Sequence, residues 1–232
     1  TIGYEAFYNC ESLTSIVIPD SVTTIGYAAF DDCTSLTSVV IPNTVTTIGD
    51  EAFVGCGNIT SINIPSSVQI IGNSAFHSCT KLSSITLNEG LTKIDGNAFG
   101  QVGSGSLYNL KNIYLPKSLE NVYTYAFMNH VGDYVFTMCD KLEAINVDSS
   151  NAKFKSDSGV LFSKDGKELI KYPRAKSSVT SYTIPSGVEN IEKGAFEDAS
   201  FLTSIILPST LWTIEENGFE GCSKITTISL PI

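Results

Sequence analysis

The chain has 232 residues, of which 42% are hydrophobic and only 16% charged, and its net charge is −10. No apolar run approaches the ~20 residues of a membrane span. The net negative charge also argues against nucleic acid as a general partner, because phosphate binding needs clustered Lys and Arg in excess.

The chain opens on "TIGYEAFYNC", with neither Met nor a basic leader, and it begins and ends in mid-pattern. A piece of a longer protein is the expectation. Ile2, Ile25, Ile48, Ile71 and Ile94 lie 23 residues apart, as do Phe7, Phe30, Phe53, Phe76 and Phe99. The unit is I-G-x-x-A-F-x-x-C-x-x-L-x-S-I-x-I-P-x-S-V. Within it, "LTSIVIP" ends in period-2 alternation, which predicts a short half-buried strand that Pro19 stops for want of an N–H. Such strands are expected at 16–18, 39–41, 62–64, 85–87, 113–115, 145–147, 182–184, 205–207 and 228–230. "SVTTIG" reads as a second extended piece with Val22 and Ile25 inward. "YAAFDDC" reads as a helical or 3₁₀ turn, since Ala29, Phe30 and Cys33 recur at about one turn's spacing. No single unit can bury its own apolar face, so the units must stack about 4.8 Å apart around one parallel sheet.

Each of the six Cys stands three residues after a Phe. Zinc sites use close pairs such as C-x₂-C, and none occurs. Stacked neighbours would be near enough for a disulfide but would point in parallel, so free packing thiols beneath the Phe column are expected.

Two insertions then break the period: five residues between Phe99 and Leu110, and nine between Phe127 and Leu142. Tyr108, His130, Tyr134 and Phe136 are candidates for a joint protrusion there, or the insertions are merely tolerated surface loops. Next, "GVLF" and "ELIKYP" flank Asp165-Gly166, a hairpin signal, within an interruption at 151–176. Residues 153–176 hold seven bases against three acids, either a solvated hairpin face or a site for an acidic partner or glycan. The repeat resumes at Pro185, Phe196 and Leu202.

The segment L-x-x-I-x-I-P-x-S-V is similar to the strand of a leucine-rich repeat, and "IGxxAFxxC" before it resembles the BspA-like (treponemal-type) repeat in particular. "SDSGVLFSKDGKELIKYP" is also similar to a segment within bacterial members. The resemblance implies an α/β solenoid: a right-handed superhelix of about nine 23-residue units with one parallel sheet on its concave side, short helical or 3₁₀ turns outside, and residues 1–232 as a single domain. Family members are described as cell-surface proteins of bacteria and protists, with adhesion to host matrix proteins proposed for some.

The outward columns of the sheet hold Ser15, Ser38, Ser61 and Ser84 beside Val17, Val40, Asn63, Thr86, Tyr114 and Asn146, with no charge. A neutral platform for a protein or polysaccharide and a merely well-stacked surface both fit. Candidate binding residues are therefore Val17, Val40, Asn63, Thr86, Tyr114 and Asn146 on the sheet, and Lys164, Lys167 and Lys171 on the hairpin. The regular outer turns, with Tyr8, Asp31, Val54 and His77 in one column, offer no continuous chemistry to a ligand. With two His and no G-x-S-x-G, P-loop or H-E-x-x-H, no catalytic residue, metal or cofactor is expected. The expectation is a monomeric, extracellular or cell-surface binding scaffold. A structural spacer that holds another domain of the parent protein is the alternative.

Overall fold

The structure is a computed structural model that describes residues 1–96, 98–99, 109–122 and 139–229. Tyr108, Phe127, His130, Tyr134 and Phe136, and with them the proposed protrusion, lie outside the described residues. The described residues form coils of a parallel β-solenoid. The chain forms two compact units, Thr1–Asp140 and Lys141–Ile232.

In the first unit the strands Ser15–Val17, Ser38–Val40, Ser61–Ile64, Ser84–Leu87 and Asn112–Leu115 alternate between exposed and buried positions. They begin one residue before the expected positions. Pairing is parallel in a register of one repeat, Ile16 on Val39 and Ile62 on Ile85. The single-sheet expectation needs correction, because every coil carries a second strand. Thr24–Ile25, Thr47–Ile48, Ile70–Ile71, Lys93–Ile94 and Asn121–Val122 form one five-stranded parallel ladder. The predicted extended piece "SVTTIG" contains this strand, only two residues long at Thr24–Ile25, with Val22 and Ile25 both buried. Lys93 pairs with Asn121, 28 residues on, so the five inserted residues leave the register intact.

The helical turn also needs correction, for no helix occurs among the described residues. Two residues per turn, four apart, adopt left-handed φ: Glu5 and Asn9, Ala28 and Asp32, Glu51 and Gly55, Ser74 and Ser78. A left-handed residue every fourth position cannot continue a right-handed helix. Alternate N–H groups point instead to the next coil: Ala28 to Asp50 O, Phe30 to Ala52 O and Asp32 to Val54 O, at 2.8–3.0 Å. The N–H of Asp31 and of Cys33 turn back three residues, to Ala28 O and Phe30 O. Coil-to-coil bonding thus runs around the turn as well as along the strands. It leaves room for no Cβ where Gly55 follows Asp32, whose carboxylate fills that space.

The inward columns are the core. Phe30, Phe53, Phe76 and Phe99 are fully buried and, with half-buried Phe7, stack at centroid spacings of 5.0, 5.1, 5.4 and 5.9 Å. The spacing is that of the strands beneath, so the ring stack follows directly from the backbone register.

The second unit carries the strands Ala144–Val147, Ser181–Thr183, Ser204–Ile206 and Thr227–Ser229, each again one residue before the expected position. Its inserted segment is a three-stranded antiparallel meander, Phe154–Asp157, Val160–Ser163 and Glu168–Lys171. Gly166 closes the second hairpin at φ 80°, where Asp-Gly predicts it. The first strand was not foreseen, nor was the fate of the last. Glu168–Lys171 pairs in parallel with Asn190–Ile191, which pairs with Thr213–Ile214, so the insertion becomes a coil of the second ladder. Tyr172 takes the Phe place, 5.1 Å from Phe196, which lies 4.8 Å from Phe219.

Candidate functional site

The sheet face of the first unit follows from strand alternation. With Ile16, Val39 and Ile62 pointing inward, Val17, Val40, Asn63, Thr86 and Tyr114 must point out. Val17 is 91% and Val40 78% exposed, side by side in the hydrogen-bonded register, and Tyr114 is 51% exposed. Asn88 Nδ2 donates to Asn63 Oδ1 at 3.1 Å, which fixes that amide. The flanking hydroxyls serve the backbone: Thr37 Oγ1 donates to Thr14 O at 3.2 Å, and Ser83 Oγ to Thr60 O at 3.1 Å. Short polar side chains at that flank thus bond coil to coil, while Val17 and Val40 face solvent. In the second unit Asn146 and Ile206 are exposed on the corresponding column, and Ser204 Oγ donates to Ser181 Oγ at 2.7 Å.

Part of the basic hairpin is withdrawn from solvent or paired with acids. Lys171 is only 6% exposed, and its ammonium donates to Gly194 O at 2.8 Å with Glu197 at 3.7 Å. Lys171 is thus removed from the solvent-facing candidates. Arg174 is buried too and pairs with Asp198. Lys167 is exposed but bound to Glu189 at 2.8 Å, which raises its pKa, and Lys164 donates to Ser149 O at 3.0 Å. Asp165 is held below the usual carboxylate range by the Lys167 N–H and the Ser163 hydroxyl. The bases fasten the meander to the coils around it. Sequence reading missed this because it could not see that Glu168–Lys171 occupies a ladder position.

The cysteines are all free thiols, and Cys33, Cys56, Cys79 and Cys139 are buried. Each of these four, and Cys222, aims Sγ at the Phe carbonyl of the coil before, at 3.0–3.3 Å. Burial pushes the Cys33 thiol up to about 11 and those of Cys56 and Cys79 further still. These are protonated donors, not nucleophiles. Among the described residues no group of three His, Cys, Asp or Glu side chains is placed to hold a metal ion.

His77, on the outer turn, is lowered by burial, and its Nδ1 lies 3.1 Å from Ser78 Oγ. Also on the outer turns, and unnoticed in sequence, Tyr4 and Tyr27 stack in the open at 5.0 Å and 15°. Among the described residues no helix is long and apolar enough to cross a membrane.

Several solved structures resemble this chain. The pneumococcal vaccine antigen PcpA is 28% identical with a TM-score of 0.77, over 94% of this chain and 51% of that one. A leucine-rich cell surface protein of Faecalibacterium prausnitzii is likewise 28% identical with a TM-score of 0.77, over 99% of this chain and 58% of its own. A leucine-rich repeat protein of Eubacterium ventriosum is 26% identical with a TM-score of 0.58, over 85% of this chain and 60% of that one. The chain thus spans between half and three fifths of the length of these proteins. No curated protein matches. The model of the BspA type leucine-rich repeat region matches six copies over residues 1–131 and 169–232, so the chain belongs to the BspA-type leucine-rich-repeat family.

Proposed function

We propose that this chain is a non-catalytic binding scaffold at the cell surface, which presents the sheet face of its first unit to a protein or polysaccharide. The observation that carries the reading is the exposure of Val17 and Val40 on adjacent strands. Apolar β-branched side chains that open to water contribute nothing to the core, and an apolar pair on adjacent strands, continued by the neutral Asn63 and Thr86, is a surface suited to contact. Tyr114 adds an aromatic anchor on the same column, of the kind that dominates interface energetics. Surface location is supported by the solved structures described as a vaccine antigen and a cell surface protein.

Probing the purified chain on an array of glycans and extracellular matrix proteins tests the reading. At least one reproducible ligand is expected. An array without a hit would favour the structural spacer instead.

A further inference from the structure

We propose that the outer turns of the first coils form a second docking site, for an arginine-rich segment of a partner protein, built on Tyr4 and Tyr27 with Glu5 and Glu51. It is independent of the sheet face.

The rings stack like the buried Phe column but on the outside, with Tyr4 69% and Tyr27 39% exposed. Nothing in the core requires aromatic residues there: the next two coils place Asp50 and Asn73 in the same column. A carboxylate neighbours each ring. Tyr27 donates its hydroxyl to Glu51 Oε2 at 2.7 Å, and Glu5, next to Tyr4 in the chain, raises the pKa of that phenol. Tyr8, 50% exposed, follows one residue after Phe7 in the first of these turns.

No Lys or Arg stands near these carboxylates in sequence, and His77, which feels Glu51, has its pKa lowered by burial. Residues 1–80 contain seven acids and no Lys or Arg, the first base being Lys81. Glu5, Glu51 and Asp32 all act on Asp31, and the Asp31 Oδ1 atom is buried without a hydrogen-bond partner. Like charges gathered against exposed π faces raise the local attraction for a cation from outside. A guanidinium satisfies both features at once: it stacks on an aromatic face and gives two parallel hydrogen bonds to a carboxylate. An ammonium is a compact, strongly hydrated charge and gains less from the ring pair. Charge complementarity therefore selects a basic peptide segment, with arginine above lysine.

The test measures fluorescence anisotropy of labelled nona-arginine and nona-lysine peptides with the full chain, at low and physiological ionic strength. The site predicts binding of nona-arginine more tightly than nona-lysine. Tyr4→Ala with Tyr27→Ala, which leaves the charge unchanged, is expected to weaken nona-arginine by about fivefold or more. Glu5→Gln with Glu51→Gln should weaken it at least as much. Asp20→Asn with Glu120→Gln, the same charge change at other exposed positions, should leave affinity within about twofold. Melting curves that match the parent's establish that the variants remain folded. Equal losses in the two charge variants, unchanged affinity in the tyrosine variant, or no binding at all would each overturn the site. None of these outcomes bears on the sheet face.

Discussion

At the scale of single residues, the cysteine column shows how one side chain can serve two purposes. The period-23 Phe-x-x-Cys spacing announces a small buried residue, and burial of four thiols agrees with it. What spacing could not announce is the donor role. The Phe carbonyl already accepts the N–H of the Cys three residues on, as Phe30 O does from Cys33, and its second lone pair is met by the thiol of the following coil, Cys56 Sγ, at 3.1 Å. Cys56→Ala is expected to cost about 1–2 kcal/mol, since both volume and donor are lost. Cys56→Ser keeps a donor and should melt above Cys56→Ala; the reverse order would reduce the column to packing alone. Asp31 yields a prediction with a sign. Burial, then the nearby Asp32 and Glu51, push its pKa from 3.8 up to about 6. The native chain then holds this proton more tightly than the unfolded chain, so the contribution is most favourable below ~4 and is lost as pH rises through ~6. Asp31→Asn should therefore raise the melting temperature at about pH 7 and leave it unchanged at about pH 3.5, the difference vanishing across that window. A gain that persists in acid would place the effect elsewhere than in ionisation.

At the scale of elements, the strands were legible and the turns were not, for one physical reason. Alternation in "SIVI" is a property of the strand itself, so nine strands could be placed within a residue. Ala29, Phe30 and Cys33 sit one to three residues apart, which satisfies a helix but equally satisfies a turn whose residues alternate between facing the core and bonding the next coil. Left-handed φ at Ala28, a residue that seldom adopts it, decides for the turn. Ala28→Gly should consequently leave stability unchanged or raise it by up to about 1 kcal/mol, whereas the same change inside a helix would lower it by about that amount. Thermal unfolding of this variant reads the difference directly. The Phe stack makes the complementary prediction. Phe53 touches Phe30 and Phe76 at 5.1 and 5.4 Å, and Phe53→Ala should cost ~3–5 kcal/mol. An unchanged midpoint in urea would mean that the stack is not core.

At the scale of the whole molecule, the fold class follows from the repeat, while the candidate sites only partly do. Val17, Val40 and Tyr114 are outward by strand parity and could be named from sequence. Lys171 was misjudged because side-chain parity along the meander depends on its pairing to Asn190–Ile191, a contact distant in sequence. The Tyr4–Tyr27 pair escaped because it lies three residues before the Phe column, whereas the turn column considered lay one residue after it. With nine acids and two bases in residues 1–100, the first coils are acidic around a neutral sheet column.

The measurement that bears most directly on the central claim is the affinity of an array-identified ligand for the parent chain and for Val40→Asp combined with Tyr114→Ala, by calorimetry. Both positions are exposed, so the fold should survive the change. The account predicts a loss of at least about tenfold, from a desolvated charge and a missing aromatic anchor. In parallel, Lys164→Glu with Lys167→Glu should leave that affinity unaltered. Equal affinity of the parent and the sheet variant would contradict the assignment of the sheet as the binding face.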